Sequence, residues 1–391
     1  MDLKMSSNKI RENFNKPLSA KRIVVKIGSA LLTHKTEAIN KAIVERLVSE
    51  IAMLSTNGIE IILVSSGAIA AGRIALNISD KVHDISLKQV LAAVGQGLLL
   101  QMYEQTFNTH GIRIAQALLT RHDMEERLGY LNVRNTLLKL IELNVIPIVN
   151  ENDVVNIEQL SETTIGDNDT LSALVTNLVD ADILIILGKL EGLYSTDPNI
   201  DKNARFITSV DNIDKTILDM GGDSWPEDGV AVGYGGMSAK LQAAKMVTSA
   251  GATTIMASGL QEDILTKLMA GENLGTHFYP TGDRLESRKR WMLSGIAQKG
   301  NVIIDTGAAG ALRLETNSLL PAGVVDVTGP FSRGDVVTIS DESGVTIAAG
   351  ISNYNSEEIN HVKGKHSGKI RTTLGYDYGD EIVHRSNMVK L

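Results

Sequence analysis

The chain has 391 residues with 43% apolar content, enough for two buried cores rather than one. Its formal charge of -8 argues against wholesale binding to nucleic acid or an anionic membrane, both of which a basic surface drives. The lack of any cysteine excludes a disulfide framework, a thiol nucleophile and a cysteine metal site.

Met1 to Leu18 mixes Lys, Arg, Asn and Ser without an apolar segment of signal-peptide length, and no run of about 18 apolar residues occurs. A soluble, cytoplasmic protein with a frayed N-terminal extension, residues 1–20, is expected. Residues 22–27, Arg-Ile-Val-Val-Lys-Ile, then form a β-branched run closed by Gly28 and Ser29, the pattern of a buried strand entering a glycine turn. Lys26, near its end, is either a strand lysine reaching for solvent or a cation held in a site. A helix follows with Ile43, Val44, Leu47, Ile51 and Leu54 on one face, and then a strand, Ile59 to Val64, ending in Ser65-Ser66-Gly67-Ala68. The alternation continues with a helix from about Leu87 to Phe107, strand Ile112 to Ala117, helix around Asn135 to Leu143 and strand Val145 to Val149. Asn150-Glu151-Asn152-Asp153 follows that last strand.

Ile165-Gly166-Asp167-Asn168-Asp169-Thr170 sets two carboxylates and a carboxamide side by side just before Leu171, Leu174, Val175, Leu178 and Val179, the spacing of a helix with one buried face. Asp169 as a plain helix cap satisfies part of this pattern. Three such residues after a glycine point further, to a site that holds polar ligand groups and orients neighbouring cations. Strand Ile183 to Leu187 comes next, and Met220 to Tyr234, rich in Gly and Asp, reads as a mobile loop over the site. It leads into Gly235-Gly236-Met237-Ser238-Ala239-Lys240 and a helix. A glycine-rich turn at a helix start offers backbone N–H groups to an anion, and Lys240 adds a full charge, although a plain loop-to-helix junction has the same pattern. Strand Thr253 to Met256 closes the series.

Alternating strands and helices specify an α/β unit, a mostly parallel sheet sandwiched by helices, over residues 21–275. Ligands bind at the carboxyl ends of strands in such sheets, where the marked residues fall. A polar connection, 276–298, leads to a β-rich unit, 299–391, with strands Val302 to Ile304, Val324 to Val327, Val336 to Ile339 and Thr346 to Ala349. Its basic run, Lys363, Lys365, Lys369 and Arg371, reads as a solvated face.

The chain has no Walker signature, no GxGxxG between strand and helix, no HExxH and no GxSxG. Two lysines on separate segments, a glycine-rich anion turn and an acidic cluster able to position them fit phosphoryl transfer.

Val25-Lys26-Ile27-Gly28-Ser29, Val64 through Gly72, Asn150 through Asp153, Gly166 through Asp169 and Gly235 through Lys240 resemble, in order and spacing, the motifs of the glutamate 5-kinase family in the amino acid kinase superfamily. Residues 299–391, with Val327 through Asp335, resemble the small β-barrel PUA domain of many bacterial members. The resemblance implies transfer of the ATP γ-phosphoryl group to the side-chain carboxylate of L-glutamate, the first step of proline biosynthesis. It also implies Mg2+ carried by the nucleotide phosphates, with no ligand assigned among the protein side chains. By the same resemblance Lys26 and Lys240 flank the transferring group and Asp169 holds both. Glutamate falls to Ser66, Gly67, Asn150, Asp153, Asp167 and Asn168. ATP falls to Lys26, Gly28, Ser29, Gly188, Lys189, Tyr234, Gly235, Gly236, Met237, Ser238, Ala239 and Lys240.

Gly188-Lys189 departs from the Thr-Asp or Ser-Asp pair common in the family, whereas Glu191 through Pro198 resembles its nucleotide loop. Homo-oligomers and proline feedback inhibition are family expectations. A kinase of acetylglutamate, aspartate or carbamate is the nearest rival; an RNA-binding role for the C-terminal unit is a weaker one, given the acidic balance.

Overall fold

The computed structural model describes residues 17–33, 39–78, 84–155, 168–222, 236–282, 299–313 and 317–391. The chain forms two units, one of Met1–Asp123 with Arg134–Gly282 and one of Met124–Val133 with Asp283–Leu391.

Strands of the first unit are β1 (Arg22–Ile27), β2 (Glu60–Val64), β3 (Arg113–Leu119), β4 (Val145–Glu151), β5 (Ile183–Gly188), β6 (Leu193–Tyr194), β7 (Phe206–Ile207), β8 (Ser209–Val210), β9 (Thr253–Ser258) and β10 (Thr276–Phe278). All but the β6–β7 hairpin join one sheet, in the order β3-β4-β2-β1-β5-β9-β10-β8. Pairing is parallel from β3 to β9, and β10 runs antiparallel to β9. A parallel sheet with both faces covered needs strands apolar on both faces, and β1 and β5 are of that kind.

Six helices matter for the site: α1 (Lys41–Thr56), α2 (Ala68–Ala75), α3 (Ile85–Asn108), α4 (Arg127–Glu142), α5 (Asn168–Leu178) and α6 (Met237–Ser249). Asn40 and Asp84 cap α1 and α3 by accepting the backbone N–H groups of Ile43 and Leu87. Ile23, Val25 and Ile27 of β1 share a core with Val44, Leu47 and Ile51 of α1 and Leu99, Tyr103 and Phe107 of α3. Side chains alternate along a strand, so Val24 and Lys26 face the other way. That second face carries α5, whose Asp169 meets Lys26.

Helix α2, which the sequence reading merged into the turn after β2, packs on α3 almost backbone to backbone. A Cβ on Gly72 would lie 1.9 Å from the Leu91 carbonyl oxygen, and one on Gly95 would lie 1.8 Å from that of Ala68. Only glycine permits this approach. Two further readings change. Thr276–Phe278, taken as the start of a connection, is a strand of the sheet. The end of the expected frayed extension is docked: the Leu18 N–H donates to Met269 O at 3.0 Å, and Leu18 and Ala20 pack on the core. Residues 1–16, residues 223–234 of the expected loop and residues 283–298 lie outside the described residues.

The second unit contains β11 (Gly300–Ile304), β12 (Val324–Thr328), β13 (Val336–Asp341), β14 (Thr346–Ile351) and β15 (Met388–Lys390), in the order β12-β11-β13-β14-β15. All neighbours are antiparallel except β11 and β13. Its core gathers Val302, Ile304, Val337, Ile339, Tyr354 and Ile359. Within the basic run, Lys363 is bound to Asp326 at 2.6 Å.

Candidate active site

The site lies at the carboxyl ends of the central strands, where β1 stands between β2 and β5. Lys26, the penultimate residue of β1, places Nζ 2.7 Å from Asp169 Oδ1. Lys240, in the first turn of α6, places Nζ 3.7 Å from Asp169 Oδ2. Asp169 is fully buried and both lysines nearly so. Ammonium and carboxylate groups enter such an interior only when paired, so the solvent-reaching reading of Lys26 does not hold. Lys26 does not reach solvent, and the Asp169 carboxylate turns across the sheet to the lysines rather than back onto its own helix.

Gly28, Ser29, Gly188, Lys189 and Gly236 through Ala239 are the remaining described residues expected on the phosphate side. The Gly28 N–H donates to Leu187 O at 3.1 Å, and a Cβ on Gly28 would sit 3.8 Å from Lys26 Nζ, in van der Waals contact with the lysine head group. Ser29 opens the helical turn Ser29–Leu32. Helix α6 starts from Gly236 without a side-chain cap, leaving the N–H groups of Met237, Ser238 and Ala239 directed out of the helix end. Beside them runs a narrow cavity lined by Ile186, Gly188, Leu190, Met237, Lys240 and Met256. Gly188 O accepts the Gly259 N–H, and Lys189 O accepts the Ser258 hydroxyl, so the departing pair is tied to the end of β9. Tyr234 and Gly235 lie outside the described residues.

On the other flank, Gly67 adopts φ of +97°, a left-handed conformation that favours glycine, and starts α2. Ser66 Oγ and Asn168 Oδ1 are buried with no hydrogen-bond partner among the described residues. Buried polar atoms are nearly always paired, which makes these two candidate positions for a polar ligand. Asn150 is buried at the end of β4, and Asp153, two residues past it, is half-buried. Loss of solvent pushes the Asp153 carboxyl up to about 6. Asp167 lies outside the described residues.

Two residues that sequence reasoning missed sit behind this flank. Gln96 Oε1 accepts from Asn150 Nδ2 at 2.6 Å, and the Tyr103 hydroxyl lies 3.0 Å from that of Ser65. The available signal was a glutamine on the same face of α3 as Ala92, Leu99 and Tyr103, four residues before and three and seven after it.

Residues 21–257 match the amino acid kinase family, and residues 300–374 match the PUA domain. The chain is 46% identical over 369 residues to a glutamate 5-kinase of Dehalococcoides mccartyi strain CBDB1, covering 94% of this chain and 98% of that protein. A glutamate 5-kinase of Caldanaerobacter subterraneus subsp. tengcongensis is 44% identical over 370 residues, 95% of this chain and 98% of its own. This chain belongs to the glutamate 5-kinases of the amino acid kinase family. Among solved structures, a UMP kinase from Bacillus anthracis aligns with 67% of this chain and 97% of its own at 13% identity and a TM-score of 0.46, a level that bears on no residue of the site. Against the glutamate 5-kinase pattern, the PUA match accounts for the β-rich unit, and the phosphate-side turn and the lysine–aspartate cluster fall within the kinase match.

Proposed function

We propose that this chain transfers the γ-phosphoryl group of ATP to the side-chain carboxylate of L-glutamate, giving γ-glutamyl phosphate and ADP, the first step of proline biosynthesis. The reading rests on one observation above all: two lysines from separate elements, β1 and α6, converge on one buried aspartate. A glutamate side chain, with an ordinary pKa near 4.3, is ionised at neutral pH, so no general base is required. A carboxylate oxygen bonds to the γ-phosphorus as the bond to the β,γ-bridging oxygen breaks, and no proton moves.

The obstacle is charge. A carboxylate and a phosphoryl oxygen 4 Å apart repel by on the order of 4 kcal/mol at the effective dielectric of a protein cleft. One aspartate between two ammonium groups leaves a local surplus of positive charge, which an incoming phosphoryl group offsets. In this proposal Lys26 and Lys240 follow the transferring group, and Asp169 keeps both in place. Asp169 faces the lysines and is therefore poorly placed as a metal ligand, which fits magnesium arriving on the nucleotide. Bound there, Mg2+ would neutralise phosphate charge. The uncapped start of α6 and the adjoining cavity suit the nucleotide, with Lys189, Tyr234 and Gly235 assigned to the same side.

Ser66, Gly67, Asn150, Asp153, Asp167 and Asn168 are assigned to glutamate. A carboxyl held near neutrality by poor solvation gains most from a cationic partner, and the free α-ammonium group of glutamate supplies one that acetylglutamate lacks. The proposal includes a cytoplasmic location and a homo-oligomer. The exposed face of α3 supports the latter with Val90, Val94 and Leu98 in successive turns and no charge between Lys88 and Glu104. Proline as feedback inhibitor is carried only by family membership.

The test is acceptor-dependent ADP formation by the purified protein across glutamate, acetylglutamate, aspartate and carbamate at fixed Mg-ATP, with the glutamate product trapped as γ-glutamyl hydroxamate. Glutamate should be preferred; a clear preference for acetylglutamate would overturn the substrate assignment.

A further inference from the structure

Asn150, the penultimate residue of β4, is buried, and its carboxamide is held from two sides. Its Oδ1 accepts the backbone N–H of Glu151 at 2.9 Å, and its Nδ2 donates to Gln96 Oε1 at 2.6 Å. Chemistry fixes both amides. A backbone N–H can only donate, so Asn150 must turn its oxygen toward Glu151 and its NH2 group toward α3, and Gln96 must meet that group with oxygen. One N–H and one lone pair of Asn150 stay uncommitted by these two bonds.

We propose that Gln96 is a positioning residue for the acceptor substrate: it clamps the Asn150 carboxamide from the α3 side in the orientation that the Glu151 N–H sets, and so fixes the polar edge Asn150 presents to glutamate. This rests on the assignment of Asn150 to the glutamate flank. Three features make Gln96 suited to the task. It is nine-tenths buried, so water does not compete for the bond. Its place along α3 is set by the neighbouring Gly95, whose contact with Ala68 leaves no room for sliding against α2. Two turns further on, Tyr103 of the same helix meets Ser65, next to Ser66. One helix thus backs two separate acceptor segments, and Gln96 is its contact to the second.

The experiment compares wild type, Q96M, N150A and the double variant. It measures KM for glutamate and for ATP, and the thermal shift that glutamate or Mg-ATP produces. Methionine matches glutamine in length and removes the acceptor. Loss of one buried hydrogen bond predicts a rise of about tenfold in KM for glutamate, with KM for ATP and the nucleotide-induced shift unchanged. Because Gln96 acts through Asn150, adding Q96M to N150A should cost little more than N150A alone. Full additivity, an unchanged KM for glutamate in Q96M, or equal losses for both substrates would each overturn the role. If Q96M fails to fold, Q96N, one methylene short of Asn150, takes its place with the same expectations and the same overturning results. Wild type separates the two levels of inference: no turnover and no shift with glutamate would sink the substrate assignment, whereas a normal wild type beside a normal Q96M would sink only the role of Gln96.

Discussion

Lys26 Nζ and Asp169 Oδ1 stand 2.7 Å apart, their side chains 4% and 0% exposed, and the other carboxylate oxygen faces Lys240. One anion serving two cations inside the protein makes Asp169 the residue whose loss is felt twice. In D169N the ammonium groups keep their burial and lose the counter-charge that Asp169 supplies. Breaking such a buried pair costs about 3–5 kcal/mol. The expected outcome is a melting midpoint lower by roughly 10 °C, from 2–4 °C per kcal/mol for domains of this size. Turnover should fall by at least ~100-fold, the usual loss when an electrostatic catalytic group is removed. Differential scanning fluorimetry and the hydroxamate assay read the two effects.

K240A should leave the Lys26–Asp169 pair in place, so its midpoint should change less than that of D169N. Its turnover should still drop by about 100-fold or more. Near-normal hydroxamate formation by purified K240A would remove Lys240 from the chemistry.

The Asp153 carboxyl, pushed up to about 6 by burial against 3.8 in the unfolded chain, ties stability and binding to pH in opposite directions. The folded state holds this proton more tightly, so the contribution to stability is largest below about 3.8 and is lost as pH rises through 6. D153N, which removes the charge, should therefore melt above wild type at pH 8, and the gap should shrink toward pH 5. Glutamate, as proposed to pair its α-ammonium group with Asp153, needs the ionised form. Its KM in wild type should rise as pH falls below 6, while KM for ATP changes less. Thermal scans and initial rates at a series of pH values check both signs.

Lys189 stands where the family commonly carries an acid, and its main chain is anchored by Ser258 at 3.0 Å. If it serves the nucleotide, K189A raises KM for ATP several-fold without changing KM for glutamate, and steady-state kinetics at saturating concentration of the other substrate measure both.

Helix α3 offers a stability test with an internal contrast. G95A would force a methyl group to within 1.8 Å of the Ala68 carbonyl oxygen, a clash with backbone rather than with a yielding side chain. The cost should reach or exceed the ~3 kcal/mol upper end of ordinary overpacking. G310A, in the helix Thr306–Arg313 with nothing within 4 Å, should be neutral or stabilising by up to about 1 kcal/mol. Unfolding midpoints of the two variants distinguish these outcomes.

The parts of this molecule that were legible in sequence are those where one local rule suffices. A β-branched run stopped by glycine announced β1 and placed Lys26 at its end. Asx residues ahead of a 3.6-residue period announced α5 and singled out Asp169. Helix α2 escaped because Ala68–Ala75 is short and contains Gly72, which weakens a helical signal and whose purpose, contact with Leu91, is tertiary. Strands β10 and β15 have three residues each, too few for a period. Gln96 was hidden for a different reason. A polar residue on the inner face of a long helix declares that it has a partner, but the partner, 54 positions away, is chosen by the packing of the helix on the sheet.

Strand β1 lies at the middle of the sheet, with β2 and β4 to one side and β5 and β9 to the other. Among the described residues, Ser66 and Gly67 follow β2, and Asn150 and Asp153 lie at or just past the end of β4, all four proposed for the amino acid, whereas Gly188 and Lys189, proposed for the nucleotide, lie at the end of β5. Lys26 of the lysine–aspartate junction stands on β1, between the two. Such a layout is modular in heredity as well as in space: selection can redraw what the enzyme accepts by altering one half, while the apparatus that delivers phosphorus passes unedited to descendants with other tastes.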